Sequence, residues 1–152
     1  MTASRIEFGS GDVALSKAVI PRDWVIEGDP KTQNVILSRS ADGGAWTLIW
    51  ECTAGKFNWI YDIDETIYVL EGGAVIEDET GAAHKVTVGS TVYFPAGTRA
   101  VWHVEGMIRK VAFFRNPVPA PLMLTARVYN KLMRLFAGAK PGSASAMAPV
   151  DD

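Results

Sequence analysis

The sequence is short of cysteine, histidine and net charge. Among its 152 residues there is one cysteine, Cys52, so no internal disulfide is possible and a reducing, cytoplasmic setting is expected. There are two histidines, His84 and His103, too few for a histidine-rich metal site. Fifteen Lys and Arg stand against seventeen Asp and Glu, a net charge of −2. That balance gives no electrostatic reason to expect nucleic acid as a partner. No run approaches the ~18–20 apolar residues of a membrane span, so no membrane partner is expected. Met1 to Phe8 carries Arg5 and Glu7 and lacks an apolar core, which argues against a signal peptide.

What is present is β-forming sequence. Hydrophobic residues make up 48% of the chain. Short runs rich in Val, Ile, Trp, Tyr and Phe alternate with clusters of Gly, Pro and Asp. Strands are expected at 35–38, 45–52, 57–61, 65–71, 74–77, 85–88, 91–94, 100–105 and 109–114. Turns are expected at 40–44, 54–55, 62–64, 72–73, 78–81 and 95–97. Many short strands at regular spacing predict an all-β sandwich or barrel in place of alternating βα units. Residues 1–29 read as an N-terminal arm or edge strands, and 30–115 as the barrel. Residues 116–138 read as a linker and a C-terminal helix, and 139–152 as a disordered tail. Leu122, Val128 or Tyr129, Leu132, Leu135 and Phe136 recur at helical spacing, and Gly138 is a natural stop. The stripe suits packing on the barrel or on a second subunit. Arg127, Lys131 and Arg134 read as a solvated face more readily than as a lipid or nucleic-acid site.

Two segments carry the chemistry: Gly55–Gly72 (GKFNWIYDIDETIYVLEG) and Gly89–Trp102 (GSTVYFPAGTRAVW). In the first, Glu65 is followed by six residues and Gly72. In the second, Gly89 is followed by five residues, Pro95-Ala96-Gly97, two more residues and Ala100. In order and spacing this resembles the paired motifs of the cupin superfamily, which implies a single jelly-roll barrel (a double-stranded β-helix). The histidine places of those motifs fall on Trp59, Tyr61 and Ala100; only the glutamate, Glu65, remains. The closest likeness is to the small branch similar to the cupin domains of (S)-ureidoglycine aminohydrolases and of an ethanolamine-utilisation protein. It rests on Trp50-Glu51-Cys52, Phe57-x-Trp59, the approach to Glu65, Phe94-Pro95-x-Gly97, Trp102 and Arg109-Lys110. A cupin metal centre needs three or four imidazole and carboxylate ligands, so neither a metal nor another cofactor is expected.

Strand alternation shows, without the resemblance, which residues share a face: 57, 59 and 61; 65, 67, 69 and 71; 100, 102 and 104. If the interior face holds Trp59, Tyr61, Glu65, Ala100 and Trp102, the barrel mouth is an aromatic cage with one carboxylate, and His103 falls on the opposite face. Such a cage suits a small cationic or polyhydroxylated ligand. The plainer reading is that the aromatics are packing and that Glu65 is held in an ion pair by Lys110 or Arg109. If the protein is an enzyme, Glu65 is the candidate general acid or base, Tyr61 an auxiliary donor, and Lys110 or Arg109 a substrate anchor. The leading expectation is a binding module for a small polar metabolite. The alternatives are acid–base catalysis on a nitrogenous or sugar-like compound, a metal-dependent aminohydrolase-like enzyme, and a structural dimer with a filled cavity. Tyr68 and Leu70 need cover under any of them, which predicts a homodimer.

Overall fold

A computed structural model describes residues 6–137. The expected tail, 139–152, lies outside the described residues. Residues up to Pro117 form one compact unit and the segment from Val118 another.

The first unit is all β. Its strands are β1 (Ser16–Ala18), β2 (Val25–Gly28), β3 (Thr32–Arg39), β4 (Ala45–Ile60), β5 (Asp64–Glu77), β6 (Ala83–Thr87), β7 (Thr91–Phe94) and β8 (Arg99–Arg115). All the pairings are antiparallel, in the order β1-β3-β4-β8-β5-β6, with β2 added to β4 and β7 to β5. This is a jelly-roll barrel. Helix α1 (Ala120–Ala137) forms the second unit, starting one residue after Pro119, whose carbonyl accepts the amides of Leu122 and Met123. A proline just before the first turn suits a helix start. No described helix is long and apolar enough to cross a membrane.

Three long strands replace six expected short ones. Ala54–Gly55 and Gly72–Gly73 are bends inside β4 and β5, not turns. The expected strands at 100–105 and 109–114 are likewise one strand, β8. The bends sit where the register slips: between Thr53 and Gly55 in the β4–β8 pair, and twice between Val69 and Val75 in the β5–β8 pair. A β-bulge shifts which side of a strand faces inward. Along β5 the buried set therefore moves from Glu65, Ile67 and Val69 to Ala74 and Ile76. Along β4 it moves from Trp50 and Cys52 to Phe57. Gly72 has φ +65°, and a Cβ there would lie 1.9 Å from the Met107 carbonyl oxygen, so only glycine fits. The barrel core joins Cys52, Phe57, Ile67, Val69, Val104 and Ile108, all at or below 1% exposure. Burying each large apolar side chain of this kind contributes ~1.5–3 kcal/mol.

Strands β6 and β7 both pair with β5, one after the other along its length. Among the described strands they do not pair with each other. Each uses one edge on β5 and, among the described strands, has no partner on the other, which leaves a seam along the outer edges of β6 and β7.

Candidate functional site

Alternation along β8 buries Ile108, Lys110 and Ala112, and alternation along β5 buries Glu65. The two charged side chains meet inside the barrel. Lys110 Nζ donates to Glu65 Oε1 at 2.5 Å, with side-chain exposures of 6% and 2%. The ammonium also lies 5.0 Å from the Trp50 ring centre and 5.1 Å from that of Trp102. Indole faces attract a cation, most strongly where water is excluded. Trp102 and Glu65, two members of the cage expected for an external cation, thus meet the protein's own lysine. Arg109, on the other face of β8, donates to Glu51 at 3.0 Å and to the Gly11 carbonyl at 2.7 Å.

A cavity of about 130 Å³ borders this pair. Trp59, Glu65 and Lys110 line it, joined by Trp50, Thr32 and Asn34. Trp59 is fixed edge-on by Trp24 and Trp50 at ring-centre distances of 5.5 and 5.8 Å. Sequence reasoning missed Thr32 and Asn34. They stand on β3, which pairs with Trp50 and Cys52 of β4, so they could be placed only once that register is known.

The remaining residues of the expected cage do not line this cavity, although Trp102 lies against Lys110. Tyr61 and Trp102 are each 2% exposed and line no part of this cavity. The Trp102 indole N–H donates to the Tyr61 hydroxyl at 3.0 Å, and Tyr61 stacks on Phe94 with ring centres 4.3 Å apart. Burial pushes the Tyr61 phenol far above its ordinary range, the Glu65 charge adds to that, and the Trp102 bond opposes it. Ala100 is buried too, and it lines a different cavity, at the seam. Cys52 is fully buried; desolvation pushes its thiol up to about 12, against the opposing charge of Lys110. His84 and His103 are exposed.

These residues do not fit the metal that a cupin barrel commonly holds. The three histidine places carry two aromatic rings and a methyl group, and the surviving carboxylate is engaged by an ammonium. Among the described residues, no three His, Cys, Asp or Glu side chains stand together as a metal site.

The barrel, with Glu65 and Pro95-Ala96-Gly97 at the motif positions, defines a cupin, and the chain belongs to that superfamily. Within it, residues 39–112 match the family model of the EutQ-like cupin domain. Solved structures agree on the fold. A protein of unknown function from Pseudomonas syringae pv. tomato superposes with a TM-score of 0.63 at 22% identity, over 68% of this chain and 45% of that one. Ethanolamine utilization protein Q from Salmonella typhimurium gives 0.52 at 18%, over 70% and 98%. KdgF from Halomonas sp. gives 0.55 at 14%, over 74% and 96%. No curated protein matches the chain.

Proposed function

We propose that this cupin is a binding module which holds a small polar molecule beside the Glu65–Lys110 pair and does not turn it over. The observation that carries this reading is a cavity walled by an internally satisfied ion pair and two indoles. Its charges cancel, so it favours a neutral or zwitterionic guest that offers both donors and acceptors. At about 130 Å³ it is well below the ~300–1,000 Å³ of pockets for drug-sized ligands, which limits the guest to a few heavy atoms. Trp59, Glu65 and Lys110 would touch it, and Thr32 and Asn34 would add hydrogen bonds. Tyr61 and Trp102 would act only as support behind the wall, and Ala100, which lines the other cavity, would not touch the guest.

The enzymatic alternative draws little from this geometry. The Glu65 carboxylate is occupied by Lys110, and the Tyr61 hydroxyl already accepts a bond from Trp102. A homodimer is part of the same proposal, because Tyr68 remains 42% exposed on the outer face of β5. A cytoplasmic location is proposed on the lone buried thiol.

The test is a thermal-shift screen of small polyols, amides and amino acids, followed by calorimetric titration of each hit. A hit that binds wild type one to one, and loses at least tenfold in affinity in Asn34→Leu, supports the reading. A screen without hits, or hits indifferent to Asn34→Leu, would overturn it.

A further inference from the structure

The seam between β6 and β7 opens into a cavity of about 680 Å³, some five times the volume of the one at Glu65. This falls in the ~300–1,000 Å³ range of small-molecule pockets. Its floor is apolar: Ile76, Val86, Phe94 and Ala100 are each at or below 6% exposure, and Val92 is half-buried beside them. Its rim is charged, and the two signs are not equally free. Asp78 is fully engaged. Its Oδ1 accepts from the Thr80 amide and hydroxyl and from the Ala82 amide, and its Oδ2 faces His84 Nε2 at 3.0 Å. Glu79 Oε1 accepts the Arg99 amide at 3.1 Å. Lys85 and Arg99 also line the cavity, and neither side chain forms an ion pair among the described residues.

We propose that this seam is a second small-molecule site, separate from the Glu65 cavity, for an amphipathic anion. A flat aromatic or aliphatic body would lie on Val86, Val92 and Phe94, and a carboxylate or sulfonate would meet Lys85 and Arg99. The Asp78 oxygens and one Glu79 oxygen accept bonds within the chain, whereas the Lys85 and Arg99 side chains form no ion pair among the described residues, so the cationic groups are the freer partners for a guest. An apolar floor with a few convergent polar groups is the usual make-up of a ligand pocket. The opening follows from topology: β6 and β7 each pair with β5 along one edge, and among the described strands the other edge of each has no partner, so no strand closes this side of the barrel.

The experiment compares two fluorescent probes of the same shape. 8-Anilinonaphthalene-1-sulfonate carries the anion, and N-phenyl-1-naphthylamine lacks it. Each is titrated into wild type, Val92→Trp and the double variant Lys85→Gln/Arg99→Gln, with circular dichroism confirming the fold of each. The expected result is one sulfonate probe per chain, abolished by Val92→Trp. In the double variant its affinity should fall at least tenfold, while the uncharged probe stays within twofold. Wild type that binds no sulfonate probe, or binding that survives either change, would overturn the proposal. So would affinity that falls as protein concentration rises, since a second copy would then occupy the seam. Neither set of variants touches the Glu65 cavity, so the two sites fail or stand separately.

Discussion

The two cavities of this barrel spend their charges in opposite ways. At Glu65 the charge is buried and answered from within: the carboxylate meets an ammonium, and the ammonium meets two indole faces. At the seam the charged groups ring an open rim, the acids are tied to backbone amides and neighbours, and the bases are left to solvent. The floor materials differ in the same sense. Trp50, Trp59 and Phe114 crowd the first into about 130 Å³, whereas Ile76, Val86, Val92 and Ala100 with the single buried ring of Phe94 border about 680 Å³ in the second. The charges of the first cavity are therefore answered by each other, whereas at the second the two bases are left to meet a guest.

Breaking the buried pair gives the largest expected effect. Glu65→Ala leaves the Lys110 ammonium enclosed with no counter-ion, which costs about 3–5 kcal/mol when one partner of a buried pair is removed. Replacing both members with apolar residues of similar volume, Glu65→Leu with Lys110→Met, is expected to regain most of that loss, because no charge is then buried. Arg99→Ala at the seam rim should change stability by less than about 0.5 kcal/mol, as exposed surface substitutions usually do. Urea unfolding of the four proteins measures all three values. A Glu65→Ala loss no larger than that of Arg99→Ala would remove the distinction between the cavities.

How much of this was legible in the sequence follows from the same residues. Turn spacing and period-2 alternation identify a β-barrel, and the motif spacing places Glu65 inside it. Alternation also narrows the partner of Glu65 to one of two adjacent bases. The choice falls on Lys110 because it shares a face with Ile108 and Ala112. Gly55 and Gly72 were misread because glycine signals missing side-chain bulk without saying whether the chain reverses or bends. That is decided by close approach: Pro30 lies within 3 Å of a Cβ built on Gly55, and the Met107 carbonyl lies closer still to one on Gly72. The seam left no local signature, since it arises from strand edges that no other described strand pairs with. Its nearest sequence signal is the Asp78-Glu79-Thr80-Gly81 turn, whose carboxylate ends up positioning His84.

Acid should expose the difference between the cavities at intermediate scale, because the seam's turn is held by a titrating group. Asp78 is lowered to about 2, first by the Thr80 hydroxyl, then by His84 and the Thr80 amide. A carboxyl that is more acidic in the folded chain stabilises the fold above its ordinary value of 3.8, and that contribution is lost as pH falls through about 2. Asp78→Asn should therefore flatten part of the decline in stability between pH 3.8 and 2 while changing little of its shape near neutrality. Asp64 is lowered as well, first by Arg115 and then by the Ala96 amide, so part of the slope should persist. Denaturation midpoints at pH 5, 3.5 and 2.5 test this. Parallel curves for wild type and Asp78→Asn would show that the turn does not depend on the carboxylate.

The smallest perturbation compares access directly. The thiolate is the form of cysteine that reacts, and Cys52, fully buried with its thiol pushed up to about 12, holds almost none of it at pH 8. Wild type should label with a disulfide reagent only as fast as the fold opens. Val92→Cys places a second thiol on the seam floor, where Val92 is only half-buried, at a small cost in stability. One thiol per chain should then react promptly while Cys52 remains slow, so the internal site serves as the control for the open one. Prompt labelling of Cys52 in wild type would mean that the Glu65 side of the barrel admits solvent and that its charges are not sealed. Two equally slow thiols would mean that the seam is covered in solution, and the contrast between a self-satisfied cavity and an open one would collapse to a difference in size.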